Sequence, residues 1–142
     1  MCDGMLIVLQ MQSAIIQNEN IYNNMSIYVK TKSPKQLLES INERINKTSI
    51  VTWSVDKDGD YTHTAEQWIY RAWIHPIIES DRVVFAIWGR VSEDLSVADY
   101  ALYHGRFVEM LLAHFDNLCD SIEVSSLASS YDIVKAKPKQ TK

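Results

Sequence analysis

Three groups of residues have types and spacings that chemistry could use. In Asp56-Lys57-Asp58-Gly59-Asp60, alternating carboxylates on a turn could converge on a hard cation. A calcium loop of the EF-hand type needs glycine at its sixth position and an acid at its twelfth, and here Gly59 is fourth and Gln67 twelfth. The segment therefore reads as a hairpin turn, and no metal site is expected. The second group is Tyr103, His104 and Arg106 around Gly105, which could line a pocket with His104 as general base and Arg106 holding an anion. His104 also falls on an apolar helical stripe, where a hydrogen-bonded core histidine is the simpler reading. The third group is the four histidines, His63, His75, His104 and His114. No two stand four apart on one helical face and neither cysteine belongs to a CxxC, so zinc is disfavoured. No serine sits in a GxSxG elbow, and Gly59, Gly89 and Gly105 are isolated, so no hydrolase nucleophile or phosphate-cradling loop is built. No catalytic residue and no cofactor are expected.

Binding is better served than catalysis. Lys135, Lys137, Lys139 and Lys142 hold four of the fourteen cationic residues, which leaves ten against eighteen acidic residues in 1–134, a net of −8. Between 56 and 132 the imbalance sharpens, with Lys57, Arg71, Arg82, Arg90 and Arg106 facing fourteen carboxylates. Such a body repels nucleic acid, which needs a basic stripe to displace counterions. Two readings of the acidity stand on charge alone: it serves solubility, or it suits a partner with a strongly basic surface, because complementary fields speed encounter and exclude wrong partners. All four tryptophans, Trp53, Trp68, Trp73 and Trp88, lie in the middle of the chain. Trp53 alternates with Val51 and Val55 and reads as core. Trp68, beside Glu66 and Gln67, is the one expected to be partly exposed and able to anchor a partner.

The elements that must position these groups follow from punctuation and periodicity. At 142 residues, 46% hydrophobic and 23% charged, the chain has one domain's worth of core. Residues 1–24 admit two readings: an extension dispensable in a shorter product starting at Met25, or a strand over 6–9 and a short helix over 12–17. Residues 27–31 read as a strand. Ser33-Pro34 with Gln36 predicts a capped helix whose apolar face is Leu37, Leu38, Ile41 and Ile45. Residues 50–55 and 61–64 read as a hairpin, Thr64 to Gln67 reads as a second capping box opening a single helical turn, and 69–78 resumes as a strand that Pro76 places at an edge or bulge. Residues 83–90 read as the central strand. Val97, Ala101, His104, Val108, Leu111, Phe115 and Leu118 predict a helix over 96–118, with Gly105 inside it, and 121–127 is a last strand. The expected fold is α+β: one domain over 25–134, about two main helices on one antiparallel-rich sheet of five or six strands, followed by a basic tail over 135–142. Cys2 and Cys119 imply no disulfide framework. The apolar run 5–16 lacks a basic flank and is too short to cross a bilayer, so a cytoplasmic protein with no membrane partner is expected.

Thr52-Trp53-Ser54, Asp58-Gly59-Asp60-Tyr61-Thr62-His63, Glu66-Gln67-Trp68, Ala72-Trp73, Val84-Phe85 and above all Tyr103-His104-Gly105-Arg106-Phe107-Val108-Glu109-Met110-Leu111-Leu112-Ala113-His114-Phe115-Asp116 carry a resemblance. Over residues 26–127 the chain resembles immunity proteins of bacterial contact-dependent growth inhibition and Rhs toxin systems. The resemblance implies a non-enzymatic inhibitor that binds a cognate toxin C-terminal domain, commonly a nuclease, and blocks its active site or substrate groove. A nuclease groove is basic, so the contact surface expected here is Asp56, Asp58, Asp60, Glu66, Glu79 and Asp81, with Trp68 as apolar anchor. The alternative is a small enzyme with its pocket at Tyr103, His104 and Arg106. A structural subunit would instead present a large apolar patch.

Overall fold

The computed structural model of the protein describes residues 26–93 and 95–126 and the backbone of 133–137; the readings made for 1–24 lie outside the described residues. The elements are β1 (Ile27–Lys30), α1 (Pro34–Asn46), β2 (Trp53–Val55), β3 (Tyr61–His63), β4 (Ala72–Ile78), β5 (Arg82–Arg90), α2 (Val97–Phe115) with a closing 3-10 turn (Asp116–Leu118), β6 (Ser121–Val124) and β7 (Ile133–Lys137). They form one sheet in the order β2-β3-β4-β5-β1-β6, with β7 beside β5. The described pairings are antiparallel except β5 with β7. Two helices pack on this sheet, which is the α+β arrangement read from the sequence.

Local signals explain most of the boundaries. Pro34 opens α1, where its missing N–H would have had no partner, and Leu37, Ile41 and Ile45 form the buried face. The expected side-chain cap does not form: Ser33 makes no such bond. At α2 the cap is real, with Ser96 Oγ accepting from the Asp99 N–H at 3.0 Å. The β2–β3 reversal is built by Asp56, whose Oδ1 accepts from the N–H groups of Asp58 (2.9 Å) and Asp60 (3.0 Å), while Gly59 takes the positive φ of +83° that glycine tolerates. β5 is central and the most continuously buried strand. Pro76 lies within β4, but β3 pairs with β4 only at Tyr61↔Ile74, so Pro76 sits where β5 is the paired neighbour.

Four further expectations change. Residues 69–71 stay in a turn, because Tyr70 adopts φ +60° and its N–H is held by Thr62 Oγ1 at 3.1 Å; β4 therefore starts at Ala72. Val51 precedes β2 and is exposed, so Trp53 enters the core without it. On α2 the buried face is Tyr103, His104, Phe107, Met110, Leu111 and Phe115, and Val97, 85% exposed, is outside it. Large aromatics bury more area than Val97 or Ala101, and they set the rotation of the helix. Phe107 is the centre: its ring meets Trp53 at 5.1 Å, Tyr61 at 5.5 Å and Phe85 at 4.8 Å. Finally, Lys135 and Lys137, assigned to a terminal tail, belong to β7, whose partner lies more than forty residues earlier in β5.

The sheet's other face carries Trp73 opposite Trp88, His75 opposite Ala86, and Ile77 opposite Val84. Trp73, Val84 and Ala86 are buried there, and His75 stacks on Trp88 at 3.8 Å.

Candidate functional site

The hairpin topology sorts the acids and tryptophan expected to contact a partner. The β2–β3 turn, with Asp56 and Asp58, and the β4–β5 turn, with Glu79 and Asp81, lie toward one end of the sheet, whereas Glu66 and Trp68 follow β3 at its other end. Asp58, Glu66 and Asp81 are exposed; Asp56 and Glu79 are half-buried, Glu79 accepting from Arg82 Nε at 2.5 Å. Asp60 is the correction. It is 1% exposed, with Oδ1 2.5 Å from His75 Nδ1, so it holds the fold and presents no contact surface. The Asp56, Asp58 and Asp60 carboxylates do approach within 4.8 Å of one another. Asp56 is committed to the turn N–H groups and Asp60 to His75, which accounts for the cluster.

Further acids meet the same end of the sheet. The Thr31 N–H donates to the Asp81 carbonyl and the Asp120 N–H to the Lys30 carbonyl, so the end of β1 is flanked by the starts of β5 and β6. Asp116, Asp120 and Glu123 are exposed beside it. Their field is felt by Cys119: burial, then Asp116 and Asp120, push its thiol up to about 11. Sequence reasoning missed these three because they fall at the end of one element and the beginning of the next.

Tyr103, His104 and Arg106 do not share a cavity. Tyr103 is buried, its hydroxyl donating to the Trp68 carbonyl at 2.6 Å and lying 3.1 Å from Thr62 Oγ1. Burial raises its pKa above the ordinary phenol value. His104 is buried against Tyr100, with Nδ1 2.9 Å from the Tyr100 carbonyl, and desolvation lowers its pKa to about 4. Arg106 points outward and pairs with Glu109 at 3.0 Å. His104 and Arg106, two positions apart, project about 160° apart around the helix axis, which keeps His104 in the core while Arg106 faces outward.

Arg106 instead borders a cleft of about 370 Å³. Trp53 and His63 of the β2–β3 pair, and Trp68 of the following turn, form one side; Glu109, Met110, Ala113 and His114 of α2, with Thr52, complete it. The bond from Tyr103 to the Trp68 carbonyl ties that turn to α2. His63 stands edge-on between Trp53 (5.2 Å) and Trp68 (5.3 Å), and its Nδ1 accepts the Ala65 N–H at 3.1 Å. Burial and the nearby Arg106 charge lower its pKa, against a smaller opposing effect of Glu109. Along the sequence His63 and His114 stand far apart, and neither period nor spacing signals that a β-strand and α2 bring them to one cleft. Among the described residues no helix is long and apolar enough to cross a membrane. No family model, curated protein or solved structure matches the chain.

Proposed function

We propose that this protein is an immunity protein: it binds the toxic C-terminal domain of a cognate polymorphic toxin in the cytoplasm and covers the active site or substrate groove of that domain, a basic nuclease. The observation that carries the reading is the charge at one end of the sheet. Asp81, Asp116, Asp120 and Glu123 are exposed there, and among the described residues no cation lies within ion-pair distance of them. Asp58 is exposed on the neighbouring hairpin turn. A basic groove built to hold phosphates complements such a surface, and like-charged nucleic acid is excluded from it. The resemblance over residues 26–127 supplies the identity of the partner. The enzyme alternative loses its common pocket, since Tyr103 and His104 are packed into the core while Arg106 faces outward.

The test is co-expression with the toxic domain encoded immediately upstream, scored by host survival and by co-purification at low and high salt. Rescue with a complex that weakens as salt rises is the expected result, and lysine at Asp58, Asp81 and Asp120 together is expected to abolish it. Absence of rescue, or a complex indifferent to both salt and charge reversal, overturns the reading.

A further inference from the structure

The cleft between the β2–β3 pair and α2 differs in character from the acidic end of the sheet, and its chemistry is independent of the toxin reading. Its donors outnumber its acceptors. The neutral His63 ring uses Nδ1 to accept the Ala65 N–H, which leaves its proton on Nε2, and no described residue accepts from Nε2. Arg106 is half exposed and spends one Nη on Glu109 at 3.0 Å, while a guanidinium carries five N–H donors. An exposed pair of this kind contributes little, so Arg106 turns toward a second acceptor at small cost. Glu109 is the one carboxylate on the lining and is engaged by Arg106; the remaining titratable group is His114. The apolar part of the lining comes from the half-buried Trp68, the exposed Ala113 and the edges of the buried Trp53 and Met110. A volume of about 370 Å³ falls within the usual span of small-molecule sites, roughly 300–1,000 Å³.

We propose that this cleft is a binding site for a small aromatic carboxylate, whose ring lies against Trp68 and Met110 and whose carboxylate is held by Arg106 and the Nε2–H of His63. Apolar walls favour a ligand with a planar body over a hydrated inorganic anion, and the donor excess favours an acid over its neutral or cationic analogues.

The test titrates the full chain calorimetrically with benzoate and indole-3-acetate, and in parallel with benzamide and indole-3-acetamide. Both acids are expected to bind saturably at one site, with the amides about tenfold weaker or more. Arg106→Gln is expected to weaken the acids by a similar factor and leave the amides unchanged. Ala113→Phe, which fills the cleft from an exposed position and alters no charge, is expected to remove binding of both, with circular dichroism establishing that each variant is folded. Equal affinities for acid and amide, acid affinity unchanged by Arg106→Gln, binding retained in Ala113→Phe, or no saturable binding overturns the proposal. Because the toxin reading is scored by survival and complex formation, either can fail without the other.

Discussion

Asp60 Oδ1 and His75 Nδ1 meet 2.5 Å apart across the β3–β4 side of the sheet, with Asp60 buried at the end of the β2–β3 turn and His75 stacked on Trp88. The contact joins the hairpin turn to the sheet's second face. Asp60→Ala leaves His75 without this partner, and a hydrogen bond of this type contributes about 1.5–3 kcal/mol. Urea denaturation is expected to show a loss of about 2 kcal/mol for Asp60→Ala, against less than about 0.5 kcal/mol for the exposed Asp58→Ala. Equal effects at the two positions would mean that the pair adds nothing to the fold.

Gly105 lies in the middle of α2, and a Cβ built there meets nothing within 4 Å. Neither of the reasons that normally require glycine in a helix, close packing or a positive φ, applies. Gly105→Ala removes unfolded-state freedom and should stabilise the protein by about 1 kcal/mol, read as a raised denaturation midpoint at unchanged slope.

His104 is held neutral by burial, with its pKa lowered to about 4. An unfolded chain protonates this ring near pH 6.5, so between about 6.5 and 4 the unfolded state binds the extra proton. Stability is therefore full above that window, falls as pH drops through it, and levels off below the folded pKa, for a total on the order of 3 kcal/mol. His63, also lowered, adds in the same direction. His104→Leu should flatten the dependence of unfolding free energy on pH between 4 and 6.5, with the contribution of His63 remaining. An unchanged slope would show that His104 is not the group responsible.

Cys119 is half-buried and its thiol is raised to about 11 by burial, Asp116 and Asp120. The thiolate is the reactive form, so alkylation by iodoacetamide at pH 8 should be slower at Cys119 than in a short unstructured peptide of the same sequence. Replacing Asp116 and Asp120 together by asparagine should speed it several-fold, followed on the Cys119 peptide by mass spectrometry. Equal rates would mean that the two acids are screened at the thiol.

The Tyr103 hydroxyl is the bond that fastens the turn carrying Trp68 to α2. Tyr103→Phe keeps the ring in the core and removes that bond, at about 1–2 kcal/mol of stability. The Trp68 side of the cleft should loosen, seen as greater acrylamide quenching of tryptophan emission, whereas a variant that loses stability without added quenching would place the effect elsewhere.

Much of the architecture is legible without coordinates. The spacing of Leu37, Ile41 and Ile45 after Ser33-Pro34 suffices for α1, Asp56 to Asp60 suffices for the hairpin, and the apolar run around Phe85 suffices for a central strand, because each signal is local and repeats at the period of its element. The long helix is legible in extent and partly in rotation: His104, Leu111 and Phe115 of the apolar stripe are buried, but Val97 and Ala101 satisfy the period and stay exposed, and only contact with Trp53, Tyr61 and Phe85 turns Tyr103, Phe107 and Met110 inward. What stayed hidden depends on residues distant in the chain. The withdrawal of Asp60 to His75, the separation of Tyr103 and His104 from Arg106, the pairing of β7 with β5, the gathering of Asp81 with Asp116 and Asp120, and the cleft that joins His63 to Arg106 are all fixed by strand order and helix rotation. Charge and period are properties of a chain read along its length; which charges become neighbours is decided by the single packing that buries the aromatic core.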